Sequence, residues 1–213
     1  METKLLVLGK GDNVITMILD NLYSISRRTP DIHIYNNLGL PITNTFKHDG
    51  FTVEVFNNLD LNSYEKMVLG VYQPHHKIKI VENLLPDINK FVNVIHEGLD
   101  ISRMSELGRG VLINSKVSIA AHTIVGDFVS INRHVSIGHH TIVGDFSSIN
   151  PGTNIAGNVK IGEGTTIGMG TNILHGVKIG KNSVIGAGSV VTKDIPDNVI
   201  AYGSPCKIIR ENG

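Results

Sequence analysis

The chain has no tryptophan and a single cysteine, Cys206, among 213 residues, and its nineteen basic and nineteen acidic side chains cancel. One cysteine excludes an intrachain disulfide and points to a reducing compartment, so the cytoplasm is expected. Five tyrosines and six phenylalanines with no basic run argue against a nucleic-acid surface. The opening METKLLVLGKGD carries too short an apolar run for a signal peptide, and no stretch approaches the length of a membrane span. Metals and membranes are not expected partners; a small metabolite or nucleotide is.

Against these absences stands a repeat. From Ile95 to Val191 an aliphatic residue occupies every sixth position, seventeen in succession, through Ile113, Ile131, Ile149, Ile167 and Ile185. Two residues before them, from Ile113 onward, come small or β-branched residues such as Thr123, Val129, Thr141, Ser147 and Thr165, and one residue after usually Gly, Ala or Asn. Because a strand alternates faces with period two, the aliphatic and the small residue share an inward face and the residues behind them form a corner. A six-residue period implies a parallel β-helix. The phase never slips, so no acceptor-binding loop of any size interrupts the coil, and an acceptor must be recognised by another domain or a neighbouring prism.

The hexapeptides [LIV]-[GAN]-x-x-[STV]-x resemble those of the left-handed β-helix acyltransferases. That resemblance supplies the three-sided coil and its hand, against the right-handed rule for parallel crossovers. Three hexapeptides per turn stack residues eighteen apart, and the seventeen positions then make about 5.7 turns, a prism about 27 Å tall at roughly 4.8 Å per turn.

The first ninety residues read differently. Strand-like Lys4 to Leu8, Ile32 to Tyr35, Phe51 to Phe56 and Met67 to Tyr72 alternate with helical patterns over Val14 to Ser26 and Lys77 to Leu85. Such alternation implies a small Rossmann-like parallel α/β domain, with ligands beyond the carboxyl ends of its strands. Gly9-Lys10-Gly11 between a strand and a helix suits phosphate, since backbone N–H groups and the helix dipole face it there; a tight turn with no ligand is the plainer alternative. The third glycine of the dinucleotide fingerprint is missing and no acidic residue follows the second strand, which argues against a redox dinucleotide. The expected domains are 1–92, α/β, and 93–213, β-helix with a carboxyl-terminal tail.

An α/β domain running through Phe91-Val92-Asn93-Val94-Ile95-His96 into hexapeptides resembles the sialic acid O-acetyltransferase and nucleotide-sugar N-acetyltransferase family of bacterial surface-glycan synthesis. The resemblance implies a homotrimer with the cofactor between adjacent prisms. It implies that Gly9, Gly11, Asp12 and Asn13, with Asn36 and Asn37, hold the nucleotide diphosphate of an acceptor sugar. Relatives often carry Gly-His in place of Asp12-Asn13 and Asp-Asp in place of Asn36-Asn37.

Acyl transfer from coenzyme A needs a base, a donor for the thioester oxygen as it becomes negative, and a groove for the pantetheine arm. Ile137-Gly138-His139-His140-Thr141-Ile142-Val143-Gly144-Asp145 resembles the family's catalytic segment, with His139 in the place of the base. One turn beyond His139 comes Gly157, whose N–H the resemblance makes the donor to the acetyl carbonyl. Asn132 matches an asparagine seven residues before the base; Asn114, Asn132 and Asn150 also stand eighteen apart, as a ladder of stacked amides would. His140 stands where many relatives have Glu or Asp, and His122 lies one turn below it. Gly203-Ser204-Pro205-Cys206-Lys207 resembles the family's closing Gly-x-Pro-Ala-Lys, near the adenine and phosphate end of coenzyme A. On that reading Gly186, Ala187 and Gly188 flank pantetheine and Lys193 and Lys207 meet phosphate, with Cys206 as packing.

The resulting expectation is an acetyl-CoA-dependent N-acetyltransferase acting on a nucleotide-linked amino sugar by direct transfer. Three alternatives stay open: an O-acetyltransferase for sialic acid or another sugar, a zinc enzyme of the carbonic-anhydrase kind using His139 and His175, and a non-catalytic scaffold trimerised by the repeat.

Overall fold

A computed structural model describes residues 4–9, 11–25, 31–36, 53–84 and 87–213, which fall into two compact units meeting at Glu97 and Gly98. Asn37, expected at the nucleotide site, lies outside the described residues.

In the first unit four strands, β1 (Leu5–Leu8), β2 (Ile32–Tyr35), β3 (Val53–Phe56) and β4 (Lys66–Leu69), form a parallel sheet in the order β3-β2-β1-β4. Helices α1 (Asp12–Ile25) and α2 (Pro74–Leu84) follow β1 and β4. Every residue of β1 is buried, which its continuous apolar run requires of a central parallel strand. Helix α2 begins three residues earlier than the apolar spacing predicts, because proline is accommodated in a first helical turn. It also buries Lys77 completely, with the ammonium 5.8 Å from the centre of the Tyr72 ring; burial drives that side chain well below the usual lysine range.

The second unit is the left-handed prism. Each predicted aliphatic from Ile101 to Val191 ends a two-residue strand, and parallel pairing joins positions eighteen apart, as in Ile137 with Ile155 and Val143 with Ile161. The three walls are named here for Val125, Ile131 and Ile137. Inside, the aliphatics from Ile113 to Val191 are almost fully buried, Ile131, Ile149, Ile167 and Ile185 completely. The small inward residues explain themselves chemically: the buried hydroxyls of Thr123, Thr141, Ser147, Thr153, Thr165 and Thr171 each donate to a corner carbonyl, as Thr141 Oγ1 does to Ala156 O at 3.1 Å. A buried hydroxyl without such a partner would cost stability.

The corners share a backbone device that the hexapeptide pattern does not announce. The third residue after the inward aliphatic has positive φ at almost every corner: Gly or Asn at Gly152, Asn158, Gly164 and Asn182, but also Lys116, His122, Phe128, His134, His140 and Phe146 with φ between 57° and 60°. Asparagine and histidine tolerate this region better than most residues; phenylalanine does not. Phe128 and Phe146 are held there one above the other, ring centres 5.1 Å apart and nearly parallel.

Candidate functional site

The corners line up into three edges that treat their backbone N–H groups differently. On the edge after the Val125 wall carboxylates cap three of them: Asp127 Oδ1 accepts from Arg109 N, Asp145 Oδ1 from Asp127 N and Asp197 Oδ1 from Lys181 N, all within 2.8 Å. The Gly144-Asp145 pair of the sequence motif is thereby a structural cap. On the edge after the Ile131 wall asparagines do the capping, Asn114 Oδ1 for Ser115 N and Asn132 Oδ1 for Arg133 N. The edge after the Ile137 wall carries His139, Gly157, His175 and Lys193 at successive turns. It has no carboxylate or amide there, and no acceptor for the N–H of His139, Gly157 or His175 is found among the described residues.

His139 and Gly157 are in contact. A methyl group at Gly157 would sit 2.6 Å from His139 Cε1 and 2.7 Å from Nε2, so the imidazole lies on the space a side chain would fill, and only glycine permits it. His139 is exposed and Gly157 is buried. A buried N–H ordinarily finds a partner; that of Gly157 has none among the described residues, and the His139 ring lies against the same residue. That is the arrangement acyl transfer needs: a proton acceptor and a fixed N–H donor side by side.

Three more histidines complete the edge. His140 Nδ1 is 3.1 Å from His139 Nδ1 with the rings perpendicular, and the His122 ring of the turn below lies against His140 at 4.7 Å between centres, tilted by 40°. His175, one turn above Gly157, has its ring centre 6.3 Å from that of His139 and its Nε2 3.3 Å from Asn158 Nδ2. The six-residue phase foretells His175, because it stands thirty-six residues beyond His139. Among the described residues no three metal-ligating side chains converge.

Asn132, Ala187 and Gly188 belong to the edge after the Ile131 wall and not to that of His139. The asparagine ladder is partial: Asn114 Nδ2 reaches Asn132 Oδ1 at 3.5 Å, whereas Asn150 turns its amide to Ile167 O at 2.8 Å. Gly186 is small for a reason unrelated to a ligand, since a methyl there would meet Tyr202 Cβ at 2.6 Å. Ala187, Gly188, Lys193 and Lys207 are exposed. Cys206 is half-buried, and burial pushes its thiol up against a hydrogen bond with Ser189 that lowers it.

In the first unit the sheet reverses direction of winding between β1 and β4, the position where parallel α/β sheets open a crevice at their carboxyl ends. The residues after those strands interlock: Gly11 N donates to Gly70 O at 2.9 Å and Gly70 N to Leu8 O at 2.8 Å. A methyl on Gly11 would lie 2.7 Å from Gly70 O. Gly70, which the glycine motif does not include, is as necessary to the turn as Gly9 and Gly11. Asp12 begins α1 and Asn13 is exposed. Asn36 is buried at the end of β2 and donates to Asn57 Oδ1 at 3.2 Å.

The family model for the bacterial transferase hexapeptide (six repeats) matches residues 140–173 and 158–193. No curated protein sequence matches the chain. Solved structures resemble it along its whole length. PerB from Caulobacter crescentus, solved with CoA and GDP-perosamine, superposes with a TM-score of 0.82 at 24% identity, covering 98% of each chain. The fold is that of the hexapeptide-repeat acetyltransferases. The acetyltransferase domain of PglB from Neisseria gonorrhoeae FA1090, solved with acetyl coenzyme A, gives 0.81 at 24% identity over 98% of this chain and 100% of that one. WeeI from Acinetobacter baumannii AYE gives 0.79 at 21% identity over 97% and 100%.

Proposed function

We propose that the chain is an acetyl-CoA-dependent N-acetyltransferase acting on the amino group of a nucleotide-linked amino sugar. The observation that carries the reading is the contact between the His139 imidazole and Gly157 on an edge of uncapped N–H groups. The likeness in fold to proteins solved with CoA, acetyl coenzyme A and GDP-perosamine supports it.

In the proposed reaction the sugar amine attacks the thioester carbonyl carbon while His139 Nε2 takes its proton. The carbonyl oxygen, becoming negative, accepts from the N–H of Gly157. The C–S bond then breaks and the thiolate leaves with the proton that the imidazolium returns. Transfer is direct, because no cysteine or serine is paired with a base at this edge. Ala187 and Gly188 flank the pantetheine arm, Gly186 shapes the same corner, and Lys193 and Lys207 meet the cofactor's phosphates. The amino-terminal unit binds the nucleotide through Gly9, Gly11, Asp12, Asn13 and Asn36, with Asn37.

The working form is a homotrimer. Asn132 and His139 stand on different edges of one prism, so Asn132 joins the site from a neighbouring copy. No helix among the described residues is long and apolar enough to cross a membrane; the cytoplasm, where both substrates are made, is the proposed compartment.

The test is a panel of nucleotide-linked amino sugars with acetyl-CoA, following thiol release. An alkali-stable acetamide product is expected. Turnover only with hydroxyl acceptors, giving a hydroxylamine-labile ester, would replace this reading with O-acetylation, and absence of any acceptor-dependent thiol release would remove it.

A further inference from the structure

We infer that His140 is a positioning residue that sets the tautomer of His139; the inference deepens the proposed role of His139 as base and rests on it. The two Nδ1 atoms face each other at 3.1 Å. Two neutral imidazoles at that distance share one hydrogen: two protonated Nδ1 atoms would collide and two bare ones would set lone pair against lone pair.

Which ring owns the proton decides what His139 does. The ring lies against Gly157, with Cε1, Nε2 and Nδ1 at 2.6, 2.7 and 3.0 Å from where a methyl on that glycine would lie; Nδ1 faces His140, which leaves Nε2 as the nitrogen open to a substrate there. A base acting through Nε2 must hold its own proton on Nδ1, so His139 donates and His140 accepts. The reverse arrangement would leave His139 protonated on Nε2 and unable to accept from an amine. His140 is itself held in place. It occupies the positive-φ corner position at 57°, donates its N–H to Ala121 O at 3.1 Å, and packs against the tilted ring of His122 of the turn below. The other titratable ring at this edge, His175, contacts His139 from above and not His140. A neutral imidazole thus does here what a carboxylate partner does for a histidine base: it fixes ring orientation and leaves the outer nitrogen bare.

The corner itself supplies the test. Positive-φ corners elsewhere in the prism are glycine at Gly152 and Gly164 and asparagine at Asn158 and Asn182, so both His140→Gly and His140→Asn suit the backbone. Asparagine offers Oδ1 where histidine has Nδ1; glycine offers nothing. Nitrogen-15 NMR of the full-length protein, needing no substrate, should find His139 protonated on Nδ1 and His140 on Nε2. In His140→Gly, His139 should shift toward the Nε2–H tautomer, and kcat should fall about ten- to a hundredfold, the range typical of lost orienting partners, with little change in KM. His140→Asn should recover most of both. His139 carrying its proton on Nε2 in the native protein would overturn the inference, as would a His140→Gly variant unchanged in tautomer and kcat, or an asparagine variant no better than glycine. Failure of the proposed activity would instead show as no turnover of the native protein on any acceptor, with the tautomers still readable.

Discussion

At the residue scale, the account turns on what glycine allows at position 157. Because a methyl there would press on three atoms of the His139 ring at 2.6 to 3.0 Å, Gly157→Ala should move the imidazole while leaving the N–H and the fold in place. Misplacing a reacting group by about 1 Å can cost about a hundredfold, so kcat should drop by that order with an unaltered melting temperature. A second residue-scale expectation concerns strain. Lys116 is exposed and has φ of 57°, a conformation that costs an ordinary residue about 1–2 kcal/mol and asparagine much less. Lys116→Asn should therefore stabilise the prism by roughly 0.5–1 kcal/mol, read as a raised melting temperature. The resemblance to the family's catalytic segment pointed to His139, and stacking at eighteen residues, a property of the period, placed Gly157 beside it. It did not point to the positive φ of His140, since histidine, lysine and phenylalanine at that position carry no glycine signal.

At the element scale, strand β2 brings His33 into a cluster with Tyr64 and Phe56. Its Nδ1 lies 2.6 Å from the Tyr64 hydroxyl, and the Phe56 ring centre is 5.0 Å away. Burial and the charge of Lys4 lower the His33 pKa, outweighing Glu54, whose carboxylate lies 4.0 Å from Nε2 and pulls the other way. The unfolded chain then binds the proton more readily than the folded one, so stability rises with pH through about 6.5 and is lost below it. Amide exchange across Leu5–Leu8 should be faster at pH 5.5 than at pH 7.5 once intrinsic rates are corrected, and His33→Asn should flatten the difference. No pattern in the sequence announced this cluster, in which His33 and Tyr64 are thirty-one residues apart. Nor did it announce the burial of Lys77, which has no solvent contact. Strand positions were legible because alternation and apolar runs are local; side-chain partners across a sheet are not.

At the scale of the whole molecule, the residues assigned to acetyl transfer divide between two prism edges, and that division has a consequence for mixing experiments. Three chains of 23.1 kDa should give a particle of about 69 kDa by light scattering. If each site takes His139 from one chain and Asn132 from the next, inactive His139→Ala and inactive Asn132→Ala chains assembled together should regain activity at about one site in four, by random assortment around a cyclic trimer. Sites built within single chains would regain none. The seventeen-step phase was plain in the sequence because each step repeats the same burial problem, and the three-sided coil followed from the resemblance to the left-handed β-helix acyltransferases. The division of labour among edges was not plain, since it depends on which corner N–H groups find a carboxylate from the next turn, an amide of their own corner, or nothing.

The most direct measurement is acetyl transfer by His139→Ala, followed as thiol release with the best nucleotide-linked amino sugar, alongside acetyl-CoA binding by calorimetry. Loss of a general base typically costs about 10²- to 10⁴-fold, and a fall of that size with acetyl-CoA binding intact is the predicted result. Turnover at the native rate would contradict the account.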